Sequence, residues 1–400
     1  MIIEIFLALL LGVIIGTLTG ISPGIHINLI SSLIVSSLPL LAFIQPIALA
    51  IFIVAMSITH TFLDFIPSIF LGAPEEDSFL SILPGHQLLL EGRGYEAFII
   101  TLYGSLTALI IILLISPLFI IFLPFIYNVT KLAIPFALIL ISLYIIFREQ
   151  NYILSLIIFV LAGFLGFLAF NLPVKEPLLP LLSGLFGLSS LLISIKSKTN
   201  IPKQEIFPLK SITLTKPELL KSVLAIFISS PFCSFLPGIG SSHSATIGSE
   251  IIPQTKKGFL FLVGATNTIM MGLSFITIYA IGKARSGTAD AIKDILQTIT
   301  SSNIILILLA ILLSGIIASI LGVILARLFV KYINRINYQY LTLFTISILC
   351  AFNLIFSNLL GIIILLTATS LGIFAISSSS RRINLMGSLI IPAIISHLVY

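Results

Sequence analysis

Two short polar interruptions in an otherwise apolar chain carry the residues able to do chemistry. The first, Ile21 to Ser32, reads ISPGIHINLISS and offers Pro23, Gly24, His26, Asn28 and Ser31. The second, Phe235 to Ala245, reads FLPGIGSSHSA and offers Pro237, Gly238, Gly240, Ser241, Ser242 and His243. Proline removes a backbone donor and glycine admits unusual dihedrals, so a helix ends at each break and a new one begins with its first N–H groups unpaired. Lipid cannot satisfy those groups, which must face protein or a wet cavity. A helix N-terminus in such a place attracts an anion through N–H donors and the helix dipole. The competing reading is a Pro-Gly kink that only adjusts helix packing.

A second constellation follows the first break. Ser57, His60, Thr61, Asp64 and Ser68 recur at three-to-four spacing and form one polar stripe on a helix otherwise filled with Ile, Phe and Leu. His60 and Asp64 stand at i, i+4, close enough to pair. A carboxylate inside a span is costly and commonly serves a proton or a cation; as a helix-end residue just before Pro67, Asp64 would instead be hydrated. Further on, Glu75, Glu76 and Asp77 could hold a cation or form a solvated turn that caps the next helix.

The elements that must position these residues are membrane helices. Of 400 residues 58% are hydrophobic and 8% charged, with a mean hydropathy of +1.24; soluble domains carry about 25% charged residues. The fold class expected is therefore an all-α polytopic membrane protein. Apolar runs predict about twelve full spans besides the two Pro-Gly-broken helices. Residues 196–216, KSKTNIPKQEIFPLKSITLTK, are too polar to cross a bilayer and divide a first transmembrane repeat, 1–195, from a second, 217–400. Pro23 and Pro237 lie 214 positions apart, and that offset also aligns the opening helices of the two halves.

If both broken stretches count as crossings, each half has an odd number and the repeats are inverted in topology. Of the 20 Lys and Arg, 15 then face one side, which the positive-inside rule makes cytoplasmic. That orientation puts the basic linker in the cytoplasm and both termini outside the cell membrane. The opening helix carries Glu4 and no basic n-region, and is read as retained. Cys233 and Cys350 have no ligand spacing and are read as packing residues.

These blocks resemble the tripartite tricarboxylate transporter TctA family, particularly its archaeal branch. The resemblance rests on GxxxGISPGIH at Gly16 to His26, PSIFLGAPEEDSFLSILPGHQLLLEGRGYEA at Pro67 to Ala97 and LPGIGSSHSA at Leu236 to Ala245, with IGKARSG at Ile281 to Gly287 and SRRINLMGSLIIP at Ser380 to Pro392. Pro23, Gly24, Pro237 and Gly238 match the family's central Pro-Gly motifs, and Gly85, Gly92 and Gly94 its glycines after the first half's loop. Where bacterial members tend to have Asn-Pro-Gly, this chain reads Gly72-Ala73-Pro74-Glu75. The resemblance implies a membrane permease that imports tricarboxylates or other organic anions by ion-coupled secondary transport. It also implies two partners, a small membrane subunit and an extracytoplasmic solute-binding protein.

Joined to the residues, this gives an expected site. A small organic anion sits at the midplane between the two breaks, held by N–H groups after Gly24 and Gly238 and by the polar residues named above. No lysine or arginine adjoins either motif, so dipole and hydroxyl binding is expected, with His60 and Asp64 coupling transport to H+ or Na+. No cofactor, structural metal, catalytic residue or nucleic-acid partner is expected beside the lipid bilayer; a homodimer stays open. Two alternatives remain. Some polyprenyl-phosphate translocases share a Gly-Ile-Ser-Pro-Gly motif, and a helix N-terminus suits phosphate equally. An intramembrane metal-dependent enzyme would use the histidines and Asp64, but HExxH and GxGD are absent.

Overall fold

The structure is a computed structural model that describes residues 2–22, 27–71, 82–130, 133–174, 177–196, 202–236, 240–333 and 338–399. Pro23, Gly24, His26, Pro237, Gly238 and the acidic trio Glu75 to Asp77 lie outside the described residues. Among those described, all regular structure is helical. The first half holds α1 (Ile2–Ile21), α2 (Ile27–Ser36), α3 (Pro46–Leu63), a π-helical turn at Pro67–Leu71, α4 (Ile82–Leu90), α5 (Gly94–Thr130), α6 (Ile134–Phe147) and α7 (Tyr152–Asn171). It closes with α8 (Leu178–Leu182), a second π-helical turn at Ser183–Leu188, and α9 (Ser189–Lys196). The second half holds α10 (Lys216–Cys233), α11 (Ser241–Ile251), α12 (Lys256–Ile281), α13 (Gly287–Leu296), α14 (Ser301–Ile333), α15 (Tyr338–Ser377) and α16 (Gly387–Val399).

Small residues decide which helices touch. Gly12, Gly16 and Gly20 recur every fourth position and form one bare stripe on α1. A Cβ added at these sites would meet Phe52 O, Met56 O and Leu63 Cβ in turn. The contacts climb both helices together, so α1 and α3 run in the same direction, and the chain must return between them through α2 and residues 37–45. Without a hydrophobic drive between helices in lipid, such close backbone approach is what associates them. At the far end Glu4 Oε1 accepts from the Gln45 N–H at 2.8 Å, which aligns the two helix starts.

The second half repeats the arrangement. The Ser222 hydroxyl of α10 donates to Gly258 O of α12 at 3.1 Å, and Thr255 Oγ1 donates to Glu218 Oε1 at 2.8 Å, so the starts of α10 and α12 coincide. Between them α11 runs back along α10: Ser244 meets Ser229, while a Cβ on Gly248 would meet Ala225. Across the halves, Thr61 faces Thr268 and Asp64 faces Asn267, which makes α3 and α12 antiparallel. Helices α5 and α12 run in the same direction, since Lys257 meets Glu96 near their starts and a Cβ on Gly272 would meet Ile112 further along; between these points Gly104 and Gly264 let the two backbones touch.

Among the described residues, seven helices are long and apolar enough to cross a membrane, and shorter apolar helices lie at Pro135–Phe147, Leu178–Ile193 and Arg382–Ser396. The spans containing α3 and α12 are 83% and 94% buried, whereas that of α1 is 28% buried. The central pair is thus α3 and α12, and the outer helices show Leu, Ile and Phe to lipid. Helix α15 is one helical run interrupted at Asn358, with φ 60° and ψ −166°. Leu349 and Leu365, on either side of Asn358, both reach the π-helical turn at Ser183–Leu188, so α15 folds back on itself.

Charged residues gather at one end. Glu96 accepts from Arg93 and Lys257, each at 2.7 Å. The hydrogen bond that Arg93 donates to Glu96 is the main cause that lifts Arg93 above the usual arginine range. The linker lies at this end too, with Gln204 Oε1 accepting from the Gly94 N–H at 2.9 Å and Glu205 N–H donating to Gly92 O at 2.9 Å. A second cluster joins the α6–α7 turn, the end of α11 and the segment before α16: Arg381 meets Glu149 at 2.5 Å and Glu250 at 3.0 Å, and Arg148 meets Glu250 at 2.6 Å.

Candidate functional site

The polar stripe of α3 faces the interior. Ser57, His60, Thr61, Asp64 and Ser68 are all buried, Asp64 to 2% exposure. Asp64 Oδ2 accepts from the Asn267 amide of α12 at 2.9 Å, and the Thr61 and Thr268 hydroxyls bond at 3.2 Å. His60 Nδ1 pairs with Thr19 Oγ1 at 3.0 Å, which ties the stripe to the last turn of α1 before the first break. Asp64 is therefore an interior group and not a hydrated helix end. The Asn267 amide replaces part of the water that the Asp64 side chain loses on burial. Just beyond it, Pro67 cannot donate to the preceding turn, and the helix widens into the π-helical turn at Pro67–Leu71.

The two helices that follow the breaks are held differently. On α2, Asn28 Oδ1 accepts from the Thr288 N–H of α13 at 3.1 Å. Ser31, one turn on, is fully buried, and its hydroxyl has no hydrogen-bond partner among the described residues. On α11, Gly240 stands at the N-cap and its N–H donates to His243 Nδ1 at 3.2 Å. Ser241, Ser242 and His243 are buried. Ser244 donates to Ser229 at 3.1 Å and contacts Ser230 at 3.4 Å, which draws the start of α11 onto the end of α10. The site residues on α2 thus meet α13, those on α3 meet α1 and α12, and those on α11 meet α10.

One basic residue was missed in the sequence. Arg285, in the connection between α12 and α13, donates from Nη1 to Met270 O at 3.4 Å, and Met270 packs in one buried cluster with Cys233 at the end of α10. A guanidinium therefore approaches the interior beside the end of α10, although no Lys or Arg adjoins either motif in the sequence. Sequence proximity hid it, because Arg285 lies 48 positions beyond Pro237. Asn267 has no local signal of its role, because the carboxylate it meets is 203 positions away.

Residues 6–387 match the family described as Tripartite tricarboxylate transporter TctA family. The chain belongs to the TctA family. It is accordingly a membrane permease and not an enzyme. An uncharacterized protein of Methanocaldococcus jannaschii is 33% identical over 405 residues, covering 97% of this chain and 98% of that one. No solved structure matches this TctA-family chain.

Proposed function

We propose that this TctA-family chain is an ion-coupled secondary transporter of small organic anions such as tri- or dicarboxylates. The anion binds at mid-membrane between the breaks at Pro23-Gly24 and Pro237-Gly238, with Asn28, Ser31, Ser241, Ser242 and His243 beside it. The observation that carries the reading is the contact of Asp64 with Asn267. It sets an ionisable group at the junction of the two central helices, one from each half.

The coupling follows from charge. An anion approaching an ionised Asp64 is repelled in a medium of low dielectric, where unscreened charges act strongly. A proton or Na+ taken up at Asp64 removes that repulsion, so cation and anion move together. His60, bonded to Thr19 at the end of α1, links the state of this group to the first break. The architecture we infer is two inverted repeats of seven passes each, the broken pairs α1–α2 and α10–α11 included. Its support is the shared direction of α1 with α3 and of α10 with α12, set against the opposed directions of α3 and α12. The linker faces the cytoplasm in this reading, and a small membrane subunit with a solute-binding protein completes the system outside.

Uptake of labelled citrate and succinate into proteoliposomes, under an imposed pH or Na+ gradient, tests the proposal. Accumulation driven by either gradient and lost in Asp64→Asn is the expected result. Gradient-independent equilibration by the unaltered protein would exclude secondary active transport.

A further inference from the structure

The connection between α12 and α13 touches elements from both halves. Where α13 begins, the Thr288 N–H bonds Asn28, and a Cβ on Gly287 would lie 3.0 Å from the Asn28 side chain. Asn28 is the second residue after His26, on the helix that follows the first break. Three residues before Thr288, the Arg285 guanidinium reaches Met270 O, and Met270 packs in one buried cluster with Cys233. Cys233 ends α10 and Ser244 lies in the first turn of α11, so they bracket the second break. A single short segment thus bonds the helix that follows the first break and sets a cation on α12 at Met270, in the buried cluster that also holds the end of α10.

A permanent charge is costly among apolar helices and is retained where it meets substrate or an opposite charge. Guanidinium has the further property of a planar fork whose two N–H groups match the two oxygens of a carboxylate. Ser31, on the face of α2 that Asn28 shares at i+3, contributes a fully buried hydroxyl with no partner among the described residues. A donor of that kind is what a second ligand oxygen would satisfy.

We propose that Arg285 recognises a carboxylate of the transported anion and sets the preference of the site for anions, with Ser31 as a neighbouring contact. This rests on the anion-permease reading above. It adds a charged group that neither helix termini nor hydroxyls supply.

The test measures citrate and succinate binding to the purified full-length protein by ligand-induced thermal stabilisation and by calorimetry, for the unaltered chain, Arg285→Gln and Arg285→Lys. The expected result is binding by the unaltered chain and a loss of about tenfold or more in Arg285→Gln, the size of one charge-assisted hydrogen bond. Arg285→Lys keeps the charge without the fork and should bind with intermediate affinity. Should Arg285→Gln fail to fold, Arg285→Lys decides, and undiminished affinity there overturns the proposal. Equal binding by the unaltered chain and a folded Arg285→Gln overturns the role of Arg285 while leaving the permease reading intact. Silence of the unaltered chain with both probes overturns the permease reading itself and this inference with it.

Discussion

Asp64 of α3 accepts a hydrogen bond of 2.9 Å from the side-chain amide of Asn267 on α12, joining two helices that run in opposite directions. Removing the donor by Asn267→Leu leaves a buried carboxylate short of a partner. The expected cost is about 1–3 kcal/mol, the penalty of an unmet buried polar group. Thermal unfolding of the purified protein would register it. Asp64→Asn should instead fold normally, keep anion binding and lose the dependence of uptake on the ion gradient.

Gly16 allows α1 to lie against Met56 and Thr59 of α3. Gly16→Ala forces backbone apart where no flexible side chain can yield, and overpacking of that kind costs about 1–3 kcal/mol. Gly187 makes the contrast, because an added Cβ meets only Leu349 Cδ1 at 3.6 Å. Gly187→Ala is expected to leave the melting temperature unchanged, whereas Gly16→Ala lowers it.

Arg381 bridges Glu149 and Glu250, whose side chains are 9% and 17% exposed. Arg381→Gln takes the shared guanidinium from both carboxylates, leaving Glu149 with the Asn384 amide and Glu250 with Arg148, and should cost about 1–3 kcal/mol. Arg148 meets the same Glu250, but its side chain is 57% exposed. Exposed pairs contribute at most about 1 kcal/mol, so Arg148→Gln should matter less. Denaturation of the two variants side by side, at low and high salt, would rank them.

Lys203 and Lys283 are both exposed, one in the linker and one after α12. The inverted arrangement places them on opposite sides of the membrane. With Cys233 and Cys350 first replaced by serine, Lys203→Cys should react with an impermeant thiol reagent only from the cytoplasmic face. Lys283→Cys should react only from outside, and labelling of both from one face would refute the topology.

Much of this organisation is legible in the residues. Composition and apolar run length gave the membrane class, because a 30 Å hydrocarbon layer demands about twenty apolar residues per helix. Pro-Gly pairs marked where helices stop and start, and α2 and α11 begin just after them. The three-to-four spacing of Ser57, His60, Thr61 and Asp64 marked one face of α3, and that face is buried.

Periodicity says which face of a helix is special and not which neighbour it meets. Lipid is as apolar as leucine, so hydropathy alone cannot tell a helix-facing surface from a lipid-facing one. Only the tertiary structure paired Asp64 with Asn267, aligned α1 with α3 through Gly12, Gly16 and Gly20, folded α15 at Asn358 and carried Arg285 back to Met270 of α12. Each depends on contacts between residues distant in the chain or on a single unusual backbone angle, which local pattern does not encode. The sequence by itself determined the class, the breaks and the polar stripe; packing of small residues and the need to satisfy buried polar groups decided how they meet.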